Sequence, residues 1–262
     1  MLIGVIHLPA LPGSPGSLRS LDAIVASAKA DAEVLSEAGY DGIVVENFGD
    51  APFFSTHVPP ITVASMTLAA AAVRAAAPKC VLCINVLRND AESALAVAHA
   101  TSAQAVRINI HVGARVTDQG VIEGRAAETL RNRRMLGADA IAVWADVDVK
   151  HSTPLGHPHP TALEQEVSDA VHRGLASAVI VTGDGTGKGV DTSKLARVKA
   201  SAGRAKVLVG SGATIATLGA LSASADGIIV GSALRTGGLA GGAIDAHAAQ
   251  AFAKAYRAAF SG

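Results

Sequence analysis

The chain has 262 residues, of which 50% are hydrophobic, 3% aromatic and 17% charged. This length suffices for one large α/β barrel or for two small domains. The formal net charge of zero argues against a nucleic-acid-binding protein, and no apolar run is long enough for a membrane anchor.

The first apolar segment is short, lacks a basic leader and runs directly into Pro9, so it predicts a strand and not a signal peptide. The two cysteines, Cys80 and Cys83, do not form a disulfide framework. We therefore expect a cytoplasmic protein.

One pattern recurs along the chain: a helical stretch ends at a glycine or another small residue, and a short β-branched apolar run follows. These runs predict eight strands near 2–8, 42–47, 80–86, 105–110, 140–147, 178–183, 206–211 and 227–232. The intervening patterns predict helices near 20–38, 60–77, 90–100, 123–136, 161–173, 191–201, 214–222 and 245–259.

Strict alternation of strand and helix implies right-handed crossovers and a parallel sheet. Eight such units in this length predict an α/β fold, a single (β/α)8 TIM barrel formed by residues 1–262. An open, doubly wound sheet is the alternative. No linker or change of composition divides the chain.

The links from strand to helix are long and polar, whereas those from helix to strand are short. In a barrel the long links share the face at the carboxyl ends of the strands, where active sites lie. The long links are predicted at 9–19, 47–58, 111–122, 148–160 and 183–190.

Polar side chains stand at the predicted strand ends. A buried Arg107 needs a carboxylate partner, for which Glu46 and Asp146 are the candidates. The candidate catalytic residues are Glu46, Arg107, Asn109, Asp146, Lys150 and His151. A structural ion network explains any one of them equally well, but the whole set favours a site. The two carboxylates are also the candidate ligands of a divalent cation such as Mg²⁺.

Glycine-containing segments follow the last two predicted strands. The seventh strand ends in Gly210, Ser211 and Gly212, and the eighth in Gly231 and Ser232. Glycine lets the backbone approach an anion, and barrels commonly bind phosphate with these two loops. The segment 183–189, with Gly183 and Gly185, is either an anion-contacting lid or a flexible turn, and it is not a Walker loop.

Six segments of the chain stand out as longer motifs: IHLPALPGSP at 6–15, GIVVENFGDAPF at 42–53, NVLRND at 85–90, RIN at 107–109, TDQGVIEGRA at 117–126 and ADVDVKH at 145–151. In this order they resemble the BtpA/SgcQ family, and the resemblance extends from the first strand to about Gly238. Asp148 departs from the family pattern, in which we expect a second histidine or a similar residue.

The resemblance implies a phosphate-binding barrel. It also implies two different roles, because the cyanobacterial namesake is linked to photosystem I biogenesis and enterobacterial relatives are encoded beside sugar-uptake genes. We expect an enzyme that acts on a small phosphorylated sugar or nucleotide-like metabolite as an isomerase, a lyase or a glycosidic-bond hydrolase. The alternatives are a photosystem I biogenesis factor without catalysis and a barrel that only binds a metabolite. The sequence leaves the oligomeric state undecided, and a homo-oligomer is one of the alternatives.

In the enzyme hypothesis, Glu46 and Asp146 supply acid–base or metal-binding carboxylates, and Arg107 and Asn109 hold substrate oxygens. His151 or Lys150 is a second proton carrier. Lys150 could form a Schiff base, although its place beyond the strand end argues against this.

Overall fold

The chain alternates between short buried strands and helices. The structure is a computed structural model that describes residues 1–156, 159–183 and 189–260. In chain order, the strands are β1 (Leu2–His7), β2 (Gly42–Glu46), β3 (Val81–Asn85), β4 (Ala105–Ile108), β5 (Ala114–Thr117), β6 (Gly120–Glu123), β7 (Ala142–Val147), β8 (Ser152–Pro154), β9 (Ala178–Val181), β10 (Lys206–Val209) and β11 (Gly227–Val230).

Helices follow each strand of the main sheet and cover its outer face. They are α1 (Leu21–Glu37), α2 (Pro60–Ala76), α3 (Ala91–Ala100), α4 (Ala126–Met135), α5 (Ala162–Ser168), α6 (Thr192–Ser201), α7 (Leu218–Ser222) and α8 (Ala246–Phe260). The predicted helix 214–222 begins instead with a 3-10 turn at Ile215–Thr217. A π-helical turn at Asp169–Arg173 extends α5.

Eight parallel strands close into a barrel in the order β1-β11-β10-β9-β7-β4-β3-β2. Closure is visible at β1, where Ile3 pairs with Gly42 of β2 and also with Ile229 of β11. The predicted TIM barrel is confirmed, and the open sheet is excluded because β1 has a neighbour on each side.

The hydrophobic core has two layers. Inside the barrel, side chains such as Ile3, Val44 and Leu208 are buried. Between the barrel and the helices, a larger cluster includes Ile43 and Phe252. Successive strand residues thus face apolar surroundings on both sides, which explains the absence of polar alternation in the sequence.

Two segments predicted as polar loops form a small antiparallel sheet instead, in the order β6-β5-β8. β5 and β6 form a hairpin in the connection after β4, and β8 lies in the connection after β7. Ile122 of the hairpin packs against Ile110 and Val149, so three apolar residues give this sheet its own small core. The sheet joins two loops at the same end of the barrel.

Within the described ranges, no helix is long and apolar enough to cross a membrane.

Candidate functional site

A cavity of about 190 Å³, hereafter the mouth cavity, opens at the carboxyl ends of the barrel strands. Two of the predicted site residues do not line it, because Asp146 lies behind Arg107 and Gly183 is buried just after β9. Gly185, a third, lies outside the described residues. The predicted site residues that line the cavity are Glu46, Arg107, Asn109, Lys150, His151, Gly210, Ser211, Gly212, Gly231 and Ser232.

Arg107 and Asp146, from the neighbouring strands β4 and β7, form a buried ion pair. The Nε and Nη2 atoms of Arg107 donate to the two carboxylate oxygens of Asp146 at 2.9 and 2.8 Å, and Asn109 Nδ2 donates to Asp146 Oδ2 at 2.9 Å. Burial alone would lower the pKa of Arg107, but the Asp146 carboxylate raises it. Asp146 therefore acts as a counter-ion that fixes the guanidinium in the cavity wall.

Glu46 is the carboxylate that reaches the cavity itself. Asn85 Nδ2 donates to Glu46 Oε2 at 2.7 Å, and Arg107 Nη1 lies 3.9 Å from the same oxygen. Burial would raise the pKa of Glu46, but the charges of His7, when protonated, Arg107 and Lys150 and the Asn85 hydrogen bond lower it. Glu46 is thus an ionised carboxylate at neutral pH, held in place by Asn85 at the cavity.

His7, which the sequence places among the polar strand-end residues at the barrel mouth but to which it assigns no role, also lines the cavity. It ends β1 in direct register with Glu46 of β2, and its Nε2 lies 4.0 Å from Glu46 Oε1. Its ring packs on Phe48 with centroids 4.5 Å apart, and burial lowers its pKa to about 4 against the opposing effect of Glu46. The imidazole is therefore neutral at neutral pH. Its position at the end of the first predicted strand indicates a place at the mouth of the barrel.

Lys150 and His151 enter the cavity from the turn that follows β7. The Lys150 backbone N–H donates to Thr182 Oγ1 at 3.1 Å, and the Lys150 carbonyl accepts from Arg88 Nη2 at 2.9 Å. Desolvation lowers the pKa of both side chains, assisted for Lys150 by Arg107 and for His151 by Lys150.

Arg88, after β3, is a lining residue that the sequence did not predict. It is 6% exposed, and its Nε has no hydrogen-bond partner among the described residues. The nearby motif NVLRND contained it, but nothing in the residue pattern distinguished it from a surface arginine.

The two glycine loops, defined as 210–212 and 231–232, need glycine for packing. A Cβ at Gly210 would clash with the Ile180 side chain, and one at Gly231 would lie 2.9 Å from His7 Cε1. Arg235, which sequence reasoning also missed, is buried beneath the second loop and donates to the Gly231 carbonyl at 2.6 Å. The glycines at these two positions are therefore explained by close packing inside the barrel.

Polar atoms at the mouth cavity lack protein partners. Ser211 Oγ and Asn109 Oδ1 are buried, belong to lining residues and make no hydrogen bond to any described residue. An unsatisfied buried polar atom costs about 1–3 kcal/mol, so such atoms mark places for a ligand or an ordered water.

A divalent-cation site is not formed by the residues that the structure describes. No group of three or more histidine, cysteine, aspartate or glutamate side chains is arranged to hold a metal ion in those ranges. Both Asp146 oxygens accept from Arg107, whose guanidinium also lies beside Glu46. The carboxylates proposed as Mg²⁺ ligands are therefore neutralised by arginine and do not fit a shared cation.

Comparison with known proteins assigns the chain to a family. The model of the BtpA family matches residues 1–258. The chain is 43% identical to the photosystem I biogenesis protein BtpA of Synechocystis sp., over 97% of this chain and 87% of that protein. The chain belongs to the BtpA family.

Other BtpA-family relatives come from distant organisms. An uncharacterized protein of Methanocaldococcus jannaschii is 42% identical over 93% of this chain and 90% of its own length. An uncharacterized, mitochondrial protein of Caenorhabditis elegans is 33% identical over 91% of this chain and 86% of its own length.

Solved structures similar to this BtpA-family chain share its barrel. The N-(5'-phosphoribosyl)anthranilate isomerase of Pyrococcus furiosus superposes with a TM-score of 0.60 at 11% identity, covering 98% of this chain and 99% of that one. The native KDPGal structure superposes with a TM-score of 0.59 at 16% identity, covering 99% of this chain and 94% of that one. Identities this low show the fold alone.

Proposed function

We propose that this BtpA-family protein is a cytoplasmic enzyme that acts on a small phosphorylated sugar or nucleotide-like metabolite. The observation that carries the proposal is the mouth cavity: one small space is lined by an ionised Glu46, by the side chains of Arg107 and Lys150, and by the two glycine loops. Acid–base groups and an anion cradle on one wall are typical of barrel active sites.

The phosphate is proposed to bind at the two glycine loops. Both loops line the mouth cavity, so a phosphate bound there would lie against their backbone. The unpartnered Ser211 hydroxyl can donate to a phosphate oxygen, and Arg107 and Arg88, lining the same cavity, add positive charge.

Glu46 is proposed as the general base. Its carboxylate is ionised and buried, so it can remove a proton next to a carbonyl or from an attacking hydroxyl group. The neutral His7 ring, 4.0 Å away, is a second proton carrier. These roles fit an isomerase, a lyase or a hydrolase of a glycosidic bond.

A thermal-shift panel of phosphorylated sugars and nucleotides tests this proposal. A ligand at 100 times its Kd should stabilise the fold by about 2.7 kcal/mol. Ser211→Asp should abolish the response, because its carboxylate would repel the phosphate. Ser177→Asp, at an exposed position just before β9 at the opposite end of the barrel, should keep it.

The proposal fails if no member of the panel stabilises the protein, or if both variants respond alike. Binding without turnover in a coupled assay of the responding ligand would instead support a barrel that only binds a metabolite.

A role in photosystem I biogenesis is the second candidate, favoured by the 43% identity to the Synechocystis protein. Relatives from an archaeon and a nematode of comparable coverage show that the family is not confined to photosynthetic organisms. Co-purification with photosynthetic membranes that persists in Ser211→Asp would support this role, because it would then be independent of the mouth cavity.

A further inference from the structure

We propose that Lys150 forms a covalent imine with a carbonyl group of the phosphorylated ligand. The inference rests on the proposed function and narrows its substrate class to aldehyde or ketone phosphates. Three features of the structure support it: the way the turn at Lys150 is held, the charges around its side chain and the groups that share its cavity.

The turn that carries Lys150 has an unusual backbone. Asp148 and His151 adopt left-handed conformations with φ of +45° and +58°. A left-handed backbone is uncommon for residues other than glycine, although Asp and His adopt it more often than most. Lys150, between them, is held through its own backbone by Thr182 Oγ1 and Arg88 Nη2.

A charge network outside the mouth cavity imposes this conformation. The Asp148 carboxylate binds Arg115 Nη2 and Lys194 Nζ, both at 2.7 Å. The Asp148 N–H donates to Glu166 Oε1 at 3.1 Å, and the same glutamate receives Arg115 Nη1. Arg115 is 4% exposed and comes from the small antiparallel sheet, so that sheet serves to position the turn.

Asp148 supports the turn from outside the mouth cavity. Asp148 is engaged with Arg115, Lys194 and Glu166 on the outer side of the turn and does not line the mouth cavity. A change of residue at this position therefore alters the support of the turn, while the side chain presented to the cavity remains Lys150.

The surroundings of Lys150 lower the pKa of its amine, which increases the fraction of the neutral, nucleophilic form. Desolvation and the Arg107 guanidinium lower the pKa of Lys150, with Glu46 and Asp146 acting in the opposite direction. A lysine that is partly desolvated and close to other cations is an activated amine, the form that attacks carbonyl carbon.

The proposed step is balanced without any further reagent. The Lys150 Nζ lone pair attacks the carbonyl carbon, a C–N bond forms and the carbonyl oxygen takes up a proton to give a carbinolamine. Loss of water then breaks the C–O bond and leaves the imine. Glu46, which lines the same cavity, can carry the proton from nitrogen to the departing oxygen.

A phosphate bound at the two glycine loops would bring the carbonyl group of the ligand close to Lys150. The two glycine loops and Lys150 line one cavity of about 190 Å³, so a ligand anchored by its phosphate has room for only a short carbon chain. Anchoring converts imine formation into an intramolecular reaction, which raises its rate far above that of a surface lysine.

Reductive trapping tests the inference. We would incubate the protein with glycolaldehyde phosphate and sodium cyanoborohydride, then map the reduced adduct by peptide mass spectrometry. The label is expected at Lys150, should be lost in Lys150→Arg and should remain in Lys254→Arg, which removes an exposed lysine of α8. Excess inorganic phosphate should slow the labelling of Lys150 but not that of Lys254.

Unphosphorylated glycolaldehyde is the matched control probe. Because it lacks the phosphate anchor, it should label Lys150 no faster than the other lysines. Thermal stabilisation by inorganic phosphate, measured in parallel, shows whether the cradle of each variant is intact. Phosphate binding without labelling of Lys150, or labelling spread evenly over the lysines, would overturn the inference and leave the proposed function standing. Absence of both phosphate binding and labelling would overturn both.

Discussion

At the scale of single residues, the mouth of the barrel depends on the pairing of buried charges. Arg107 and Asp146 satisfy each other through two parallel hydrogen bonds, and Asn109 adds a third to the carboxylate. Such a pair contributes little net stability over an apolar replacement, but removal of one member leaves an uncompensated charge. Its value is that it holds a cation beside Glu46.

Arg107→Met should therefore destabilise the fold by about 3–5 kcal/mol, because Asp146 would remain buried without its partner. The free energy of unfolding in urea measures this loss. Arg134→Met is the matched control: it breaks a 2.6 Å ion pair with Asp139, but Arg134 is 80% exposed, and exposed pairs contribute at most about 1 kcal/mol. Equal losses in the two variants would show that the buried pair has no special role.

His7 should make the fold sensitive to mild acid. Its pKa is about 4 in the barrel and 6.5 in the unfolded chain. As the pH falls from 6.5 towards 4, the unfolded chain binds a proton that the folded barrel excludes, so up to about 3 kcal/mol of stability present above pH 6.5 is lost.

His7→Gln should show a smaller loss of unfolding free energy over this pH range than the unmodified protein. His99→Gln, at an exposed position in α3, should behave like the unmodified protein. Identical pH profiles for all three proteins would contradict the role assigned to His7.

At the scale of elements, the strands and the glycine loops were predictable but the small sheet was not. The apolar runs are short and rich in β-branched residues. Because both faces of these strands are buried, the runs contain no alternating polar residues, as in β9 (Ala178–Val181). β5, β6 and β8 have three or four residues each, and only Ile122 is buried with apolar partners outside the main core. Their pairing depends on contacts between loops far apart in sequence, which no local pattern records.

The loop after β10 provides a prediction at this scale. Gly210→Ala should destabilise the protein and abolish the response to phosphorylated ligands, since its Cβ would collide with the Ile180 side chain and approach Thr182 Cγ2. Gly219→Ala, in α7, adds a Cβ in open space and should gain roughly 0.5–1 kcal/mol from helix propensity. Thermal unfolding with and without ligand measures both effects, and a stabilised, responsive Gly210→Ala variant would refute the packing argument.

At the scale of the whole molecule, the barrel brings together residues that are far apart in the chain. Glu46 and Ser232 line the same cavity although 186 positions separate them. The alternation of strands and helices made this convergence predictable. Arg88 and Arg235 were not predicted to belong to the site, because their significance comes from tertiary neighbours: the carbonyl of Lys150 and the carbonyl of Gly231.

The central claim is that the two glycine loops form one anion site facing Glu46 and Lys150. A crystal structure of the protein with inorganic phosphate tests it most directly. The account predicts one phosphate that accepts hydrogen bonds from the backbone of both loops and from the Ser211 hydroxyl. A phosphate bound away from these loops, or a mouth cavity that stays free of phosphate at saturating concentration, would contradict it.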